Sequence, residues 1–237
     1  MINQIEHTLK YFFRYSVKPI RQFWLSFFLI LSFSLLISIS DETSFHLTGI
    51  ISFPSLVFMF FFSFFAFKNI FPFVIKLGIS RKAYILATYI YALLLSFLMT
   101  VLNYVYLYLF NFIADGFSIE GFDYTGLNME GYVEYTFGNV YLFDWLLHLS
   151  IFLLITFIAA FYYRFGAILG TLLLALFPLS LLIRSIGFKF VELLNYFAIT
   201  DEKYTTISYL IIIVICLVLN WFVVQRASTL DQITKQN

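Results

Sequence analysis

Histidine and cysteine, the side chains that most often ligate metals, are few in this chain and stand far apart. The sequence has three histidines, His7, His46 and His148, and a single cysteine, Cys216. Zinc sites take several such ligands from closely spaced pairs, and no two of these residues are closely spaced. A single cysteine also excludes an internal disulfide. The sequence therefore predicts no metal site.

The sequence signatures of the common catalytic sites are also absent. The chain contains no GxxxxGK[ST] phosphate-binding loop, no HExxH metalloprotease helix and no GxSxG nucleophile turn. No apolar run carries the paired carboxylates of an intramembrane protease. We therefore predict a protein with no enzymatic activity and no cofactor of its own.

The composition is that of a protein that lies in lipid. Apolar residues make up 62% of the 237 residues, aromatic residues 22% and charged residues 11%. A soluble domain carries about 25% charged residues. With so few charged residues, this chain cannot form a water-solvated surface, so we predict an all-α integral membrane protein. The bilayer is its expected surrounding, and nucleic acid is not an expected partner.

Six apolar runs are long enough to cross a hydrocarbon layer of about 30 Å as helices. Lipid offers no hydrogen-bond partners, so each run must satisfy its own backbone, and none alternates strictly like a barrel strand. We predict six transmembrane helices in one membrane domain that covers residues 1–237. The predicted spans are residues 23–40, 47–67, 83–114, 145–163, 165–183 and 204–224.

Glycine and proline mark special points in these spans. The fourth and fifth spans meet at Arg164, which predicts a tight helical hairpin. Gly166 and Gly170 form a GxxxG pattern that allows close helix packing, within the chain or with a second copy. Pro54 and Pro178 lie inside predicted spans and are candidates for helix kinks.

Charged residues divide unevenly between the two ends of the predicted helices. With the amino terminus on side one, 11 of the 14 basic residues lie on side one and 11 of the 13 acidic residues lie on side two. Basic loops stay in the cytoplasm during membrane insertion. We therefore predict that side one is cytoplasmic and that both termini lie there.

Three segments outside the spans have patterns of their own. Residues 1–18 have apolar residues at helical spacing, which predicts an interfacial amphipathic helix ending near Pro19; the alternative is a basic topology signal. Residues 115–144 hold six acidic residues without the spacing of an EF-hand, which favours a solvated acidic cap. Residues 184–203 predict a short helix in the outer interface.

The 68–82 segment is the cytoplasmic loop with the strongest pattern. Its apolar residues share a helical face, Gly78 is placed to end that short helix in a left-handed cap, and Ser80 can cap the next span. An ordinary basic loop would not need Phe71, Phe73 and Leu77. We therefore predict a compact helix–turn–helix with a docking surface.

Polar residues within the spans are few, and their positions bear on transport mechanisms. Asn103 and Asn220 are predicted to make hydrogen bonds between helices, and His148 lies near the outer rim. Ion-driven transporters place an ionisable group within the membrane. No such group lies at the centre of a predicted span, which argues against that class.

The arrangement of six spans, inward termini, an amphipathic leader and a helical 68–82 segment resembles the permease subunits of type II ATP-binding cassette exporters. The closest local resemblance is residues 71–82, FPFVIKLGISRK, which look like that family's coupling helix and the Gly-x-Ser-Arg-Lys-like turn after it. The resemblance covers the whole chain in layout but only these twelve residues in sequence.

The resemblance implies that a separate ATPase subunit binds ATP and magnesium and grips the 68–82 segment, with residues 1–18 also in contact. Two permeases, identical or sister chains, would flank a path in a bacterial cell membrane. ATP-driven closure would export a hydrophobic or amphipathic substrate, such as a peptide. The implied coupling residues are Ile70, Phe71, Phe73, Val74, Lys76, Leu77, Gly78, Ser80, Arg81 and Lys82.

Two other functions fit an apolar chain of this kind. The first is a secondary transporter or channel that works without an ATPase. The second is a membrane protein that transports nothing, such as a sensor or an immunity protein.

Overall fold

The computed structural model describes residues 1–40, 45–48, 52–119, 122–125, 134–135, 140–185, 187, 189, 203–204 and 206–227. Helices dominate the described part of the chain. Their bounds are α1 Ile2–Ser40, α2 Phe53–Lys76, α3 Arg81–Gly116, α4 Val140–Phe165, α5 Ala167–Leu181 and α6 Thr206–Gln225. The short strands are β1 Phe45–Thr48, β2 Phe122–Thr125, β3 Glu134–Tyr135 and β4 Lys203–Tyr204.

Five of the described helices, all except α5, are long and apolar enough to cross a membrane. The chain is therefore a multi-pass, predominantly helical membrane protein, as its composition predicts. The helix α5 has 15 residues, which gives about 22 Å against a hydrocarbon thickness of about 30 Å. The helices α1 and α3 have 39 and 36 residues, or more than 50 Å each, so they tilt or project beyond the bilayer.

The prediction that a separate interfacial helix ends near Pro19 is wrong. Pro19 lies inside α1, which continues from the amphipathic residues into the first apolar run. The reason is tertiary packing, because the ring of Phe12 stacks on those of Tyr84 and Tyr91 in α3. These contacts hold the leading half of α1 against the other helices and outweigh the one backbone hydrogen bond that proline removes.

The helix α2 also differs from its prediction at both ends. It begins at Phe53, so Pro54 lies in its first turn, where proline is favoured, and does not kink a span. It continues through Pro72 to Lys76, so the 68–82 segment has no separate coupling helix but is the last part of α2 followed by a turn.

The turn between α2 and α3 confirms two local predictions. Gly78 has a φ of 84°, and the amides of Gly78 and Ile79 donate to the carbonyls of Ile75 and Val74. This is the paired hydrogen bonding of a Schellman cap. Ser80 then caps α3, since its side chain accepts a hydrogen bond from the amide of Ala83 at 3.3 Å.

Short parallel strand pairs lie outside the helices, and β1 and β4 occupy residues at the ends of predicted helices. The strand β1 pairs with β2 from Phe45–Phe122 to Thr48–Thr125, and β3 pairs with β4. The predicted acidic cap covers residues 115–144. Between Ile119 and Val140, only Phe122–Thr125 and Glu134–Tyr135 belong to the described residues. Most of the predicted outer helix at residues 184–203 lies outside them as well.

The hairpin between α4 and α5 turns at Gly166, two residues later than predicted. Gly166 has a φ of 86°, a conformation that other residues rarely adopt. Gly170 packs directly on α4, because a Cβ at this position would lie 2.5 Å from the ring of Tyr162. The GxxxG pattern thus serves one turn and one helix contact within the chain.

The contacts between helices show which helix ends lie together. At one end, called the turn end, Ser80 donates to Gln4 at 3.0 Å and Arg81 donates to the carbonyl of Ala227 at 3.1 Å. The hydroxyl of Tyr163 donates to the carbonyl of Lys68 at the same end. At the other end, called the far end, Ser52 contacts Asp144, and Phe143 packs on Tyr209.

We predict that Gly78→Ala destabilises the protein by about 1–2 kcal/mol, because an L-residue at this φ meets its own backbone although the surrounding space is open. Gly116→Ala is the matched control, since Gly116 also has open space but no positive φ. It should be neutral or slightly stabilising. Thermal unfolding of both variants in detergent micelles measures the difference, and equal midpoints would contradict the role of the left-handed cap.

Candidate functional site

The turn end exposes apolar and basic side chains on the same turn. Phe73 is 42% exposed and Leu77 is 66% exposed, although both are large and apolar. The basic side chains of the turn are exposed beside them. The exposed set, called the coupling surface below, is Phe73, Lys76, Leu77, Gly78, Ser80, Arg81 and Lys82.

Three residues assigned to coupling from the sequence lie elsewhere. Ile70, Phe71 and Val74 are at most 1% exposed. The ring of Phe71 packs against those of Tyr84 and Tyr163 in α3 and α4. Because a helix has two faces, an apolar stripe read from sequence mixes core residues with surface ones. These three residues anchor α2 in the core, and the structure does not offer them to a partner.

The amino-terminal part of α1 lies beside the coupling surface and supports it. The ring of Tyr11 stacks on that of Phe73, with centroids 4.7 Å apart. Asn69 donates to the hydroxyl of Tyr15 at 2.8 Å, and Ser80 reaches Gln4. Residues 1–18 therefore lie beside the 68–82 segment within the chain.

A second group of polar residues is buried near the far end, where α2, α3 and α4 meet. His148 and Asn103 are fully buried, and Asp144 and Ser55 are at most 4% exposed. Asn103 donates to the hydroxyl of Ser55 at 2.9 Å, and that hydroxyl lies 2.8 Å from Nε2 of His148. We call this group, completed by Ser52, the buried network.

Ser52 closes the buried network on the α2 side. It occupies the position that precedes α2, but its hydroxyl donates to Oδ1 of Asp144 instead of capping its own helix. Oδ2 of Asp144 and Oδ1 of Asn103 are buried and have no hydrogen-bond partner among the described residues. A buried carboxylate oxygen without a partner costs free energy, so this group is not a simple packing contact.

The buried network corrects one prediction and confirms another. Asp144 is not part of a solvated acidic cap, since it is buried on α4 beside His148. Ionisable groups are therefore present inside the helix bundle. Asn103 makes the predicted hydrogen bond between helices. The spacing of Asp144 and His148, four residues apart on one helical face, could have revealed the pair from sequence.

Asn220 confirms the second predicted contact between helices. Its side-chain amide donates to the carbonyl of Leu153 in α4 and to that of Cys216 in its own helix, both at 2.9 Å. The thiol of Cys216 is buried. These residues join α6 to α4, the helix that also contacts α2, α3 and α5.

An apolar cleft runs between α3 and α4 next to the buried network. It has a volume of about 540 Å³ and is lined chiefly by aromatic rings, among them Tyr104, Tyr108, Tyr141 and Trp145. The hydroxyls of Tyr108 and Tyr141 lie 2.7 Å apart. Among the described residues, no group of three or more histidines, cysteines or carboxylates could hold a metal ion.

No family model matches the chain, and neither does any curated protein or any solved structure that was compared with it.

We predict that Ser55→Ala lowers the free energy of unfolding by about 1–3 kcal/mol, because it leaves buried groups of Asn103 and His148 without a partner. Ser63→Ala is the matched control on the same helix. Ser63 is equally buried, but its hydroxyl bonds only to the carbonyls of Met59 and Phe60 in α2 itself. Unfolding midpoints in detergent compare the two variants, and equal losses would contradict the network.

Proposed function

We propose that this chain is the membrane-spanning subunit of an ATP-driven exporter, with six crossings and both termini in the cytoplasm of a bacterial cell. The observation that carries the proposal is the coupling surface, a rigid turn with exposed phenylalanine, leucine and basic side chains. An apolar patch on a turn that faces water marks a binding surface for another protein.

The positions of the helix ends support six crossings. The helix α4 ends at the turn end, where Tyr163 contacts Lys68, and α6 begins at the far end, where Tyr209 contacts Phe143. The chain between them must pass from one end to the other. The helix α5 starts this passage, because Gly170 and Thr171 pack back along Tyr162 of α4.

The charges support the orientation. The turn end carries Lys76, Arg81, Lys82 and Arg164, while Asp115 follows the apolar part of α3 at the opposite end. Basic residues near the membrane favour the cytoplasmic side. A cytoplasmic ATPase subunit would then meet the coupling surface directly, and that subunit would supply the ATP and magnesium chemistry for which this chain has no phosphate-binding loop.

The substrate in this proposal is hydrophobic or amphipathic, such as a peptide. The apolar aromatic cleft between α3 and α4 has the size and lining that suit such a molecule. A second permease, identical or a sister chain, would complete the path, as in the exporters that the sequence resembles.

A specific observation favours a second candidate, an ion-coupled transporter that works alone. The sequence argued against this class because no ionisable group lies at the centre of a predicted span. The buried Asp144 and His148 supply such groups inside the helix bundle, towards its far end. Transport that follows an ion gradient without ATP would select this candidate.

Cysteine labelling tests the six crossings. In a Cys216→Ala background, which is free of other cysteines, Ser80→Cys should react with an impermeant maleimide from the cytoplasmic side only. Ser118→Cys and Ser185→Cys should react from the opposite side only, since α3 and α5 each cross once. All three positions are exposed. Labelling of Ser185→Cys from the same side as Ser80→Cys would show that α5 does not cross.

Affinity purification of this chain from its own membranes, with detection of ATP-binding cassette ATPases in the eluate, tests the coupling surface. We predict that Phe73→Asp combined with Lys82→Glu reduces the recovered ATPase about tenfold or more, the effect of losing a hot spot. Membrane insertion should be unchanged because both side chains are exposed.

The matched control is Arg164→Gln, which alters a basic residue at the same end but outside the coupling surface. It should retain the ATPase. Failure of the unaltered chain to recover any ATPase, or equal recovery with all variants, would overturn the proposal.

A further inference from the structure

We propose that the buried network is a proton-binding site, in which Nε2 of His148 takes the proton, Ser55 switches its hydrogen bond and Asp144 supplies the opposite charge. The proposal rests on the geometry of five residues on three helices. It does not depend on the exporter function, since an ATP-driven or an ion-driven transporter could use such a site.

The backbone of α4 fixes the tautomer of His148. Nδ1 of His148 lies 2.7 Å from the backbone carbonyl of Asp144, one helical turn earlier. A carbonyl oxygen only accepts hydrogen bonds, so Nδ1 must carry a hydrogen in every state of the ring. Nε2 is therefore the one ring atom that can gain or lose a proton, and it faces Ser55.

The hydroxyl of Ser55 has two acceptors within reach. Nε2 of His148 and the carbonyl of Ser52 each lie 2.8 Å from its oxygen. When the ring is neutral, the hydroxyl donates to Nε2. When Nε2 carries a proton, it donates to the oxygen of Ser55, and the hydroxyl hydrogen turns to the Ser52 carbonyl. Asn103 donates to the same oxygen in both states.

The network therefore accommodates both protonation states without any movement of its heavy atoms. Protonation forms one N–H bond at Nε2 with a proton taken from water and breaks no bond in the protein. The oxygen of Ser55 then accepts two hydrogen bonds and donates one, which is its full capacity.

An imidazolium inside a helix bundle needs a partner of opposite charge. Asp144 lies on the same helix face, and its Oδ2 has no hydrogen-bond partner among the described residues. Ser55 contacts the ring from α2, Asn103 of α3 contacts Ser55, and Ser52 contacts Asp144. None of these three side chains titrates near neutral pH. The neighbouring helix α6 contributes tyrosine and cysteine but no charged residue over residues 206–225.

The buried network lies close to the far end of the helix bundle. Ser52, which contacts Asp144, is only partly buried and begins α2 where the chain leaves the helix bundle. The hydrogen bond from Ser52 therefore brings Asp144, the counter-charge of the site, closest to the end of the helix bundle. In the orientation proposed above, this is the outer side of the membrane.

Histidine NMR tests the proposal directly, because the chain has three histidines. In a His7→Gln, His46→Gln background, His148 is the only histidine. With ¹⁵N-labelled histidine in lipid nanodiscs, we expect the Nδ1–H tautomer at high pH and conversion to imidazolium between about pH 4 and 9. A ring that keeps its hydrogen on Nε2, or that stays neutral throughout this range, would overturn the proposal.

Two variants separate a proton site from a structural hydrogen bond. Asp144→Asn should reduce the proton affinity of His148 about tenfold or more through loss of the opposite charge. Ser55→Ala should also reduce it, whereas Ser63→Ala should leave the titration unchanged. A titration that none of these changes affects would show that the ring titrates independently of the network and would overturn the proposal. Since NMR reads the proton itself, its outcome is separate from that of the ATPase purification.

Discussion

Lipid offers no hydrogen-bond partners, and this lack shapes the described helices of the chain. Most buried serine and threonine hydroxyls are satisfied within their own helix, because each donates to a carbonyl three or four residues earlier. Thr8, Ser34, Ser63, Thr88 and Thr156 all do so. Such bonds let polar residues stand in an apolar helix at little cost, and they tie no helix to another.

Contacts between helices depend instead on aromatic rings and on a few long polar side chains. Tyr89, Tyr106 and Tyr163 each place a ring in the interior and donate a hydroxyl to a carbonyl of a neighbouring helix. The ring supplies contact area, and the hydrogen bond of the hydroxyl fixes how the two helices are oriented against each other. Against this background the buried network stands out, because Ser52 and Ser55 reach α4.

Local sequence signals predicted the features that depend on a few adjacent residues. The cap at Gly78, the start of α3 at Ser80 and the existence of long apolar helices follow from rules that need no tertiary structure. The continuity of α1 through Pro19 does not, because it depends on the stacking of Phe12 against α3. Only the assembled bundle contains that contact.

The buried network was missed for a related reason. The predicted fourth span began at residue 145, whereas α4 begins at Val140. This error of five residues placed Asp144 in a loop, where a carboxylate is solvated and unremarkable. Helix ends are the least certain part of any prediction from sequence. Here the misplaced end also hid the nearest acidic neighbour of His148.

Two helices join the coupling surface to the buried network. Ser55 and Phe73 lie on α2, about 27 Å apart along the helix axis, and Asn103 and Lys82 lie on α3, about 32 Å apart. Neither helix is interrupted between these positions, and Phe71 packs on Tyr84 where the two meet at the turn end. The same two helices that form the exposed turn therefore also supply Ser55 and Asn103 to the buried network.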